Sequence, residues 1–383
     1  LNILFIGPYR QGGDGWCQAS KGYIKALATT KHNLTIRPIY MCNTSNNEID
    51  PLFLELEANK QTHYDIIIQN VLPNLLDPKT AGSRTINLCM FETGNLQDTP
   101  WPYHINLTDE LWMASPHDRT TAVASGVTIP VRHVPIPVDT KKFEHSYNID
   151  GWKQIDIENN FNFYFVGEYI PRKNLQALLT AFHREFRPTE PVNLIIKTNK
   201  GGVPSKQLGE IANKDFTQIK TDLALYQSIS AYKSEFLVTD FLSEHDLYAL
   251  HQACDCFVMP SRGEACCQPM LDAIGFGNPV IVTGCTGMAD YITKDVGWIV
   301  DSTKQPVYST EHPLPYLYTG RETWREIDVF ALQRAMREAF EIGTLQKLQK
   351  LQQQQKCREY INGFSYQCIG NMINELLKSE AIA

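Results

Sequence analysis

Residues 255–290 read DCFVMPSRGEACCQPMLDAIGFGNPVIVTGCTGMAD, and the order of residue types in them decides the fold. An apolar run at 256–259 has the length and composition of a buried strand, and a second follows at 279–283. Between them, Pro269 stands where a helix opens and Gly277 where one closes. Proline's fixed φ suits the first turn, and glycine accepts the left-handed conformation just past the last. Strand, helix and strand in this order make a βαβ unit with parallel strands and a right-handed crossover. Open sheets of such units bind ligands beyond the carboxyl ends of their strands. Glu264 lies in the loop at that end and Asp272 in the first turns of the helix, so the spacing puts two carboxylates at the ligand-facing edge.

The alternation continues on both sides. Upstream come a strand at 161–166, the loop GEYIPRKN, and a helix at 175–186 whose Leu175, Leu178, Leu179 and Phe182 recur at three and four. Strands at 192–196 and 236–241 follow, and a helix from His245 leads into the opening stretch. Downstream, 297–300 reads as a short strand, 305–326 as an irregular loop rich in Pro, Tyr and Trp, and the remainder as helices, the last at 366–378 after a break at Gly363. Arg172 and Lys173 sit at a strand's carboxyl end just before a helix. They suit phosphate oxygens through charge-assisted hydrogen bonds, and a solvated charge pair is the alternative.

The first half repeats the design, with apolar runs at 3–6, 34–40, 64–71, 85–91, 111–114 and 131–136. The loop after the first, GPYRQGGDGW, lacks the spacing of a dinucleotide fingerprint. Its Gly12 and Gly13 either let the backbone approach a ligand or simply make a turn. After the fourth run, Glu92 stands at a strand end with Thr93 and Asn95, open to a ligand-facing or an ordinary surface role. His117, in the turn SPHD, is a general base by residue type or a helix-start residue beside a Ser115 or Asp118 cap. The polar, aperiodic stretch 137–160 reads as a linker. It divides a first domain, 1–145, from a second, 146–364, with 365–383 free to pack back onto the first.

The whole-chain properties bound the function. A chain of 383 residues exceeds one comfortable core, and 43% hydrophobic with 20% charged residues is a globular balance. A formal net charge of −7 argues against a nucleic-acid partner. No apolar run approaches the ~18 residues that span a bilayer. The opening LNILFI reads as a first strand, so the expected location is cytoplasmic, at most peripheral on the cytosolic face of a membrane. Ten cysteines fit a reducing compartment. Cys254, Cys256, Cys266 and Cys267 lack the C-x₂-C spacing of a zinc site and read as core.

At this point the motifs resemble a family. VMPSRGEACCQPMLDAIGFGNPVI is similar to the signature of retaining glycosyltransferases of family 4, which run P-S-x-x-E, seven residues, E, then A-x-x-x-G-x-P-V. FVGEYIPRKN is similar to their G-R-x-x-x-x-K-G loop, and GCTGMAD to their G-x-x-E loop. The resemblance implies an α/β GT-B fold: two Rossmann-like, doubly wound parallel-sheet domains facing a deep cleft, the first on the acceptor side and the second holding a nucleotide-sugar donor. It implies hexosyl-type transfer from a nucleotide-diphosphate sugar to an unknown glycan, lipid or protein acceptor, with retained anomeric configuration, no cofactor and no metal. Glu264 would bind sugar hydroxyls, Asp272 the ribose, and Lys173 with Arg172 the diphosphate. Gly12, Gly13, Gly287 and Met288 would offer backbone N–H groups, and Asp290 would stand for the loop's acidic residue. Three departures stand out. Asp272 is one methylene shorter than the usual Glu, Glu168 replaces the usual Arg, and Glu92 stands where a His is usual. A GT-B epimerase or phosphorylase, or a non-catalytic sugar-nucleotide-binding protein, are the alternative readings.

Overall fold

The computed structural model describes residues 1–10, 15–40, 50–78, 82–308 and 318–378. The chain divides into two compact units: Leu1–Thr140 with Pro313–Thr323 and Asn362–Ala383, and Lys141–His312 with Trp324–Ile361.

The first unit runs β1 (Asn2–Gly7), α1 (Gly15–Ala28), β2 (Asn33–Pro38), α2 (Pro51–Ala58), β3 (Ile66–Gln69), β4 (Arg84–Cys89), α3 (Trp101–Ile105), β5 (Glu110–Met113), α4 (Pro116–Ala124) and β6 (Val131–His133). Its sheet has the order β2-β1-β3-β4-β5-β6, and every neighbouring pair is parallel. Parallel strands are buried on both faces, which is why they read as continuous apolar runs instead of alternating.

The second unit runs β7 (Phe161–Glu168), α5 (Leu175–Glu185), β8 (Val192–Asn199), α6 (Ser205–Leu223), β9 (Phe236–Val238), α7 (Glu244–Ala253), β10 (Cys256–Met259), α8 (Gln268–Phe276), β11 (Val280–Thr283), β12 (Gly297–Val300), β13 (Ser302–Pro306), β14 (Thr323–Ile327), α9 (Val329–Leu345) and α10 (Lys347–Ile361). A final helix, α11 (Tyr366–Lys378), belongs to the first unit and packs on α1. Gly370 permits that approach, since a Cβ there would lie 2.5 Å from the Ala26 carbonyl oxygen. The second sheet has the order β12-β11-β10-β7-β8-β9, again parallel throughout. The chain builds outward from β7 to β9, then returns beside β7 and builds the other way from β10 to β12. The order therefore reverses between β7 and β10, the position at which doubly wound sheets open a ligand crevice.

Three expectations need correction. The stretch 137–160 is not a bare linker. It forms two 3₁₀ turns, Thr140–Glu144 and Asp150–Ile155, and inserts Phe143 edge-on against Phe276. The supposed loop 305–326 is closed at both ends by strands, β13 and β14, which pair as a small sheet. The expected strand 236–241 stops at Val238, because β9 is an edge strand with one partner, and Phe241 beyond it is exposed. Helix α6 was not anticipated. Its buried stripe is narrow, with Leu208, Ala212, Phe216 and Lys220 spaced at four. Among the described residues no helix is long and apolar enough to cross a membrane.

Candidate active site

The two loops flanking the switch point carry the candidate residues. After β7, Pro171 opens a 3₁₀ turn, Pro171–Lys173, which ends on Asn174 at φ +56°. Asparagine tolerates that left-handed conformation better than most residues. After β10, Ser261–Glu264 returns beside the same turn, the Arg262 N–H donating to the Arg172 carbonyl at 2.7 Å. This backbone bond fixes the basic pair against the carboxylate loop.

Glu264 is buried, at 8% exposure, and its contacts fall on one oxygen. Oε1 accepts from Arg172 Nη1 at 2.7 Å, from the Ser261 hydroxyl at 2.8 Å and from Lys173 Nζ. Oε2 accepts no hydrogen bond from any described residue, yet it is not among the sealed, unpartnered polar atoms. Burial pushes the Glu264 pKa up, but the Arg172 and Lys173 charges outweigh it and hold the carboxyl below its usual range. Two cations against one carboxylate leave the cluster one net positive charge. Arg172 Nη1 also donates to the Gly263 carbonyl at 2.6 Å.

Asp272, on α8, is engaged in the same one-sided way. Lys142 Nζ lies 2.7 Å from Oδ1 and Gln268 Nε2 lies 3.2 Å from it, while Oδ2 accepts from no described residue. Lys142 comes from the stretch expected to be a linker, and its ammonium stands over the rings of Tyr248 at 5.0 Å and Phe143 at 5.4 Å. The shorter carboxylate is thus tied to a cation that sequence spacing did not suggest. The cap of α8, Cys267, makes no formal side-chain capping bond, and the N–H groups of the first turn mark the positive end of the helix dipole.

Further residues brace the loops. Glu326, on β14, accepts from Arg262 Nε at 2.6 Å and from Asn174 Nδ2 at 2.9 Å. The Arg262 guanidinium stacks over Trp324 and Tyr308. Beneath α8, the Tyr164 hydroxyl lies 2.7 Å from His251 Nδ1 and accepts from Asn278 at 3.0 Å. Burial lowers the His251 pKa to about 4, so the ring is neutral near neutral pH. Sequence reading missed Lys142, Arg262, Glu326 and His251.

The other expected residues fall as follows. Gly287 and Met288 are buried in the turn Gly287–Tyr291 after β11, and Asp290 in the same turn is exposed. Glu168 ends β7, half-buried. Glu92 lies in the first unit, half-buried, just past the end of β4. His117 is in the first turn of α4, whose cap is Ser115, accepting from the Asp118 N–H at 3.0 Å. Gly12 and Gly13 lie outside the described residues. Cys254, Cys256, Cys266 and Cys267 are buried thiols, and among the described residues no group of three or more His, Cys, Asp or Glu side chains is arranged to hold a metal ion.

The family model described as "Glycosyl transferases group 1" matches residues 152–309, which include both loops. A curated relative, the serotype-specific mannosyltransferase WbdA of Escherichia coli, is 29% identical over 167 residues, 42% of this chain and 18% of the relative. The chain thus matches less than a fifth of that protein's length. Among solved structures, sucrose-phosphate synthase of Thermosynechococcus elongatus superposes with a TM-score of 0.66 at 14% identity, covering 99% of this chain and 98% of that one. Anabaena Alr3699/HepE, solved in complex with UDP-glucose, gives 0.62 at 15% identity, with 99% of each chain covered. At such identities the likeness concerns the fold, and the fold is GT-B: two Rossmann-like α/β domains, each with a parallel sheet.

Proposed function

We propose that this chain is a glycosyltransferase that moves a sugar from a nucleoside-diphosphate sugar to a glycan, lipid or protein acceptor, in the manner of the retaining, metal-independent enzymes of family 4. The observation that carries the proposal is the disposition of Glu264. One carboxylate oxygen is pinned by Arg172, Lys173 and Ser261 at the switch point of the second sheet, and the other is left to accept. The match of the group 1 glycosyltransferase model over residues 152–309 supports it, as do a relative named as a mannosyltransferase and a structural neighbour holding UDP-glucose.

On this reading the residues divide the donor among them. Oε2 of Glu264 accepts from a sugar hydroxyl and Oδ2 of Asp272 from a ribose hydroxyl. Arg172, Lys173 and the start of α8 face the diphosphate. Cleaving the sugar–phosphate bond builds positive charge at the anomeric carbon and negative charge on the departing diphosphate. A cluster with net positive charge, preorganised beside that anion, lowers the barrier, each donor being worth about 3 kcal/mol. The fixed cations do the neutralising, so no metal is required by the charge balance.

The experiment is turnover on a panel of UDP- and GDP-sugars, with and without EDTA, reading nucleoside diphosphate release and the anomeric configuration of the freed or transferred sugar by NMR. The expected outcome is EDTA-insensitive release with retained configuration from one class of donor. An isomerised sugar nucleotide with no diphosphate released would point to epimerisation instead, and tight binding with no bond cleavage to a non-catalytic protein.

A further inference from the structure

Strand β8, VNLIIKTN, is aliphatic through its centre and buried up to its last residue, yet it carries Lys197 at 8% exposure. Removing an ammonium from water costs several kcal/mol unless an anion or enough acceptors replace the lost hydration. The comparably buried Lys220 of the same unit meets that requirement, its Nζ lying 2.6 Å from Glu235 Oε2. Lys197 does not. Its acceptor is the Thr198 carbonyl at 3.2 Å, and among the described residues no carboxylate lies within ion-pair distance. An ammonium has three N–H donors, so two are unassigned.

The direction of the side chain is legible. Thr198, whose carbonyl the ammonium binds, is the next residue toward the carboxyl end of β8 and sits opposite Gly167 on β7. Asp240, in the segment after β9, is near enough to favour the charge. Lys197 therefore points to the same sheet edge as the Arg172/Lys173 turn, one strand over from the strand that leads into it. Burial lowers its pKa, and Asp240 offsets this only in part.

We infer that Lys197 is a substrate-contacting, specificity-determining residue whose spare N–H groups donate to an acceptor oxygen of the nucleotide, either a keto oxygen of the base or a phosphate oxygen. This rests on the donor-site reading above and extends it to the part of the nucleotide that the carboxylates leave unread. A buried donor held on a strand discriminates sharply, because a ligand presenting an amino group in place of the oxygen leaves both partners unsatisfied. The preferred nucleotides are then those with a keto oxygen where cytosine and adenine carry an exocyclic amino group, at C4 of uracil or C6 of guanine.

The test is calorimetric titration of UDP, CDP, GDP and ADP into the full chain and into Lys197→Met, a substitution of similar length. UDP and CDP differ at C4, a keto against an amino group, on an unchanged ribose diphosphate; GDP and ADP differ likewise at C6, with an added 2-amino group on guanine. The expected result is tighter binding of at least one keto member by the wild type, and a loss of about tenfold or more for it in Lys197→Met, with the preference collapsing. Weakening of all four by one common factor would place the contact on a phosphate oxygen, keeping Lys197 as a nucleotide contact and overturning its role in base specificity. Unchanged affinities in a variant melting at or above the wild-type temperature overturn the inference and leave the donor site standing. Failure of the wild type to bind any of the four overturns both. Should Lys197→Met not fold, Lys197→Gln is titrated against the same four ligands with the same criteria.

Discussion

Glu264→Gln separates the two jobs assigned to one side chain. The substitution keeps the size and an acceptor for Ser261, but removes a negative charge that lies 2.7 Å from Arg172 Nη1 and within contact of Lys173. Two buried cations then share no anion, so stability should fall by about 1–3 kcal/mol. The cluster rises from one net positive charge to two. At an effective dielectric of about 20, an added unit charge ~5 Å from a phosphate is worth ~3 kcal/mol, which screening and partial exposure cut to about 1. Free nucleoside diphosphate should therefore bind about fivefold more tightly, with a steeper dependence on salt. The sugar nucleotide gains the same phosphate attraction but loses the charged acceptor for its hydroxyl, about 1.5–3 kcal/mol. Because the phosphate contribution is common to both ligands, it cancels in the ratio of their dissociation constants. That ratio should rise about tenfold to hundredfold in the variant. Titration calorimetry of a nucleoside diphosphate and its sugar ester, at low and high salt, reads it directly. A parallel shift for both ligands would refute the assignment of Oε2 to the sugar.

Lys142→Met strands the buried Asp272 carboxylate and should cost about 3–5 kcal/mol by denaturant unfolding, whereas the double variant Lys142→Met with Asp272→Leu should recover much of it; a double variant no more stable than the single would deny the pairing its role. His251 gives a pH signature. Its pKa is about 6.5 unfolded and about 4 folded, lowered by burial, with Asp272 opposing and Lys142 reinforcing. The unfolded state binds the proton first, so this contribution to stability is complete above about pH 6.5 and drains away as pH falls toward 4, by up to about 3 kcal/mol. His251→Gln should flatten that slope, and an unchanged slope would assign it to other groups.

The parts of the fold written locally were legible in the sequence. Pro269 and Gly277 mark the start and stop of α8, and in the structure Gly277 closes it at φ +93°. The buried strands announced themselves as apolar runs because parallel strands have no solvent face. The candidate carboxylates followed from position alone, a loop and a helix start after a strand. What escaped was whatever depended on distant pairing. Lys142 meets Asp272 across 130 residues of chain, and no periodicity in a polar stretch announces such a contact. Glu326 bridges Arg262 and Asn174 from a strand hidden in Pro- and aromatic-rich sequence. The one-sided coordination of both carboxylates is likewise invisible in spacing, since it depends on which donors fold back onto them.

Lys173 offers the most direct measurement. Its ammonium touches Glu264 and, on this account, the diphosphate of the donor, so Lys173→Ala should leave the unfolding transition cooperative while lowering the affinity for a sugar nucleotide at least tenfold and abolishing turnover. A folded Lys173→Ala protein that binds and cleaves the sugar nucleotide as the wild type does would contradict the donor site at its centre.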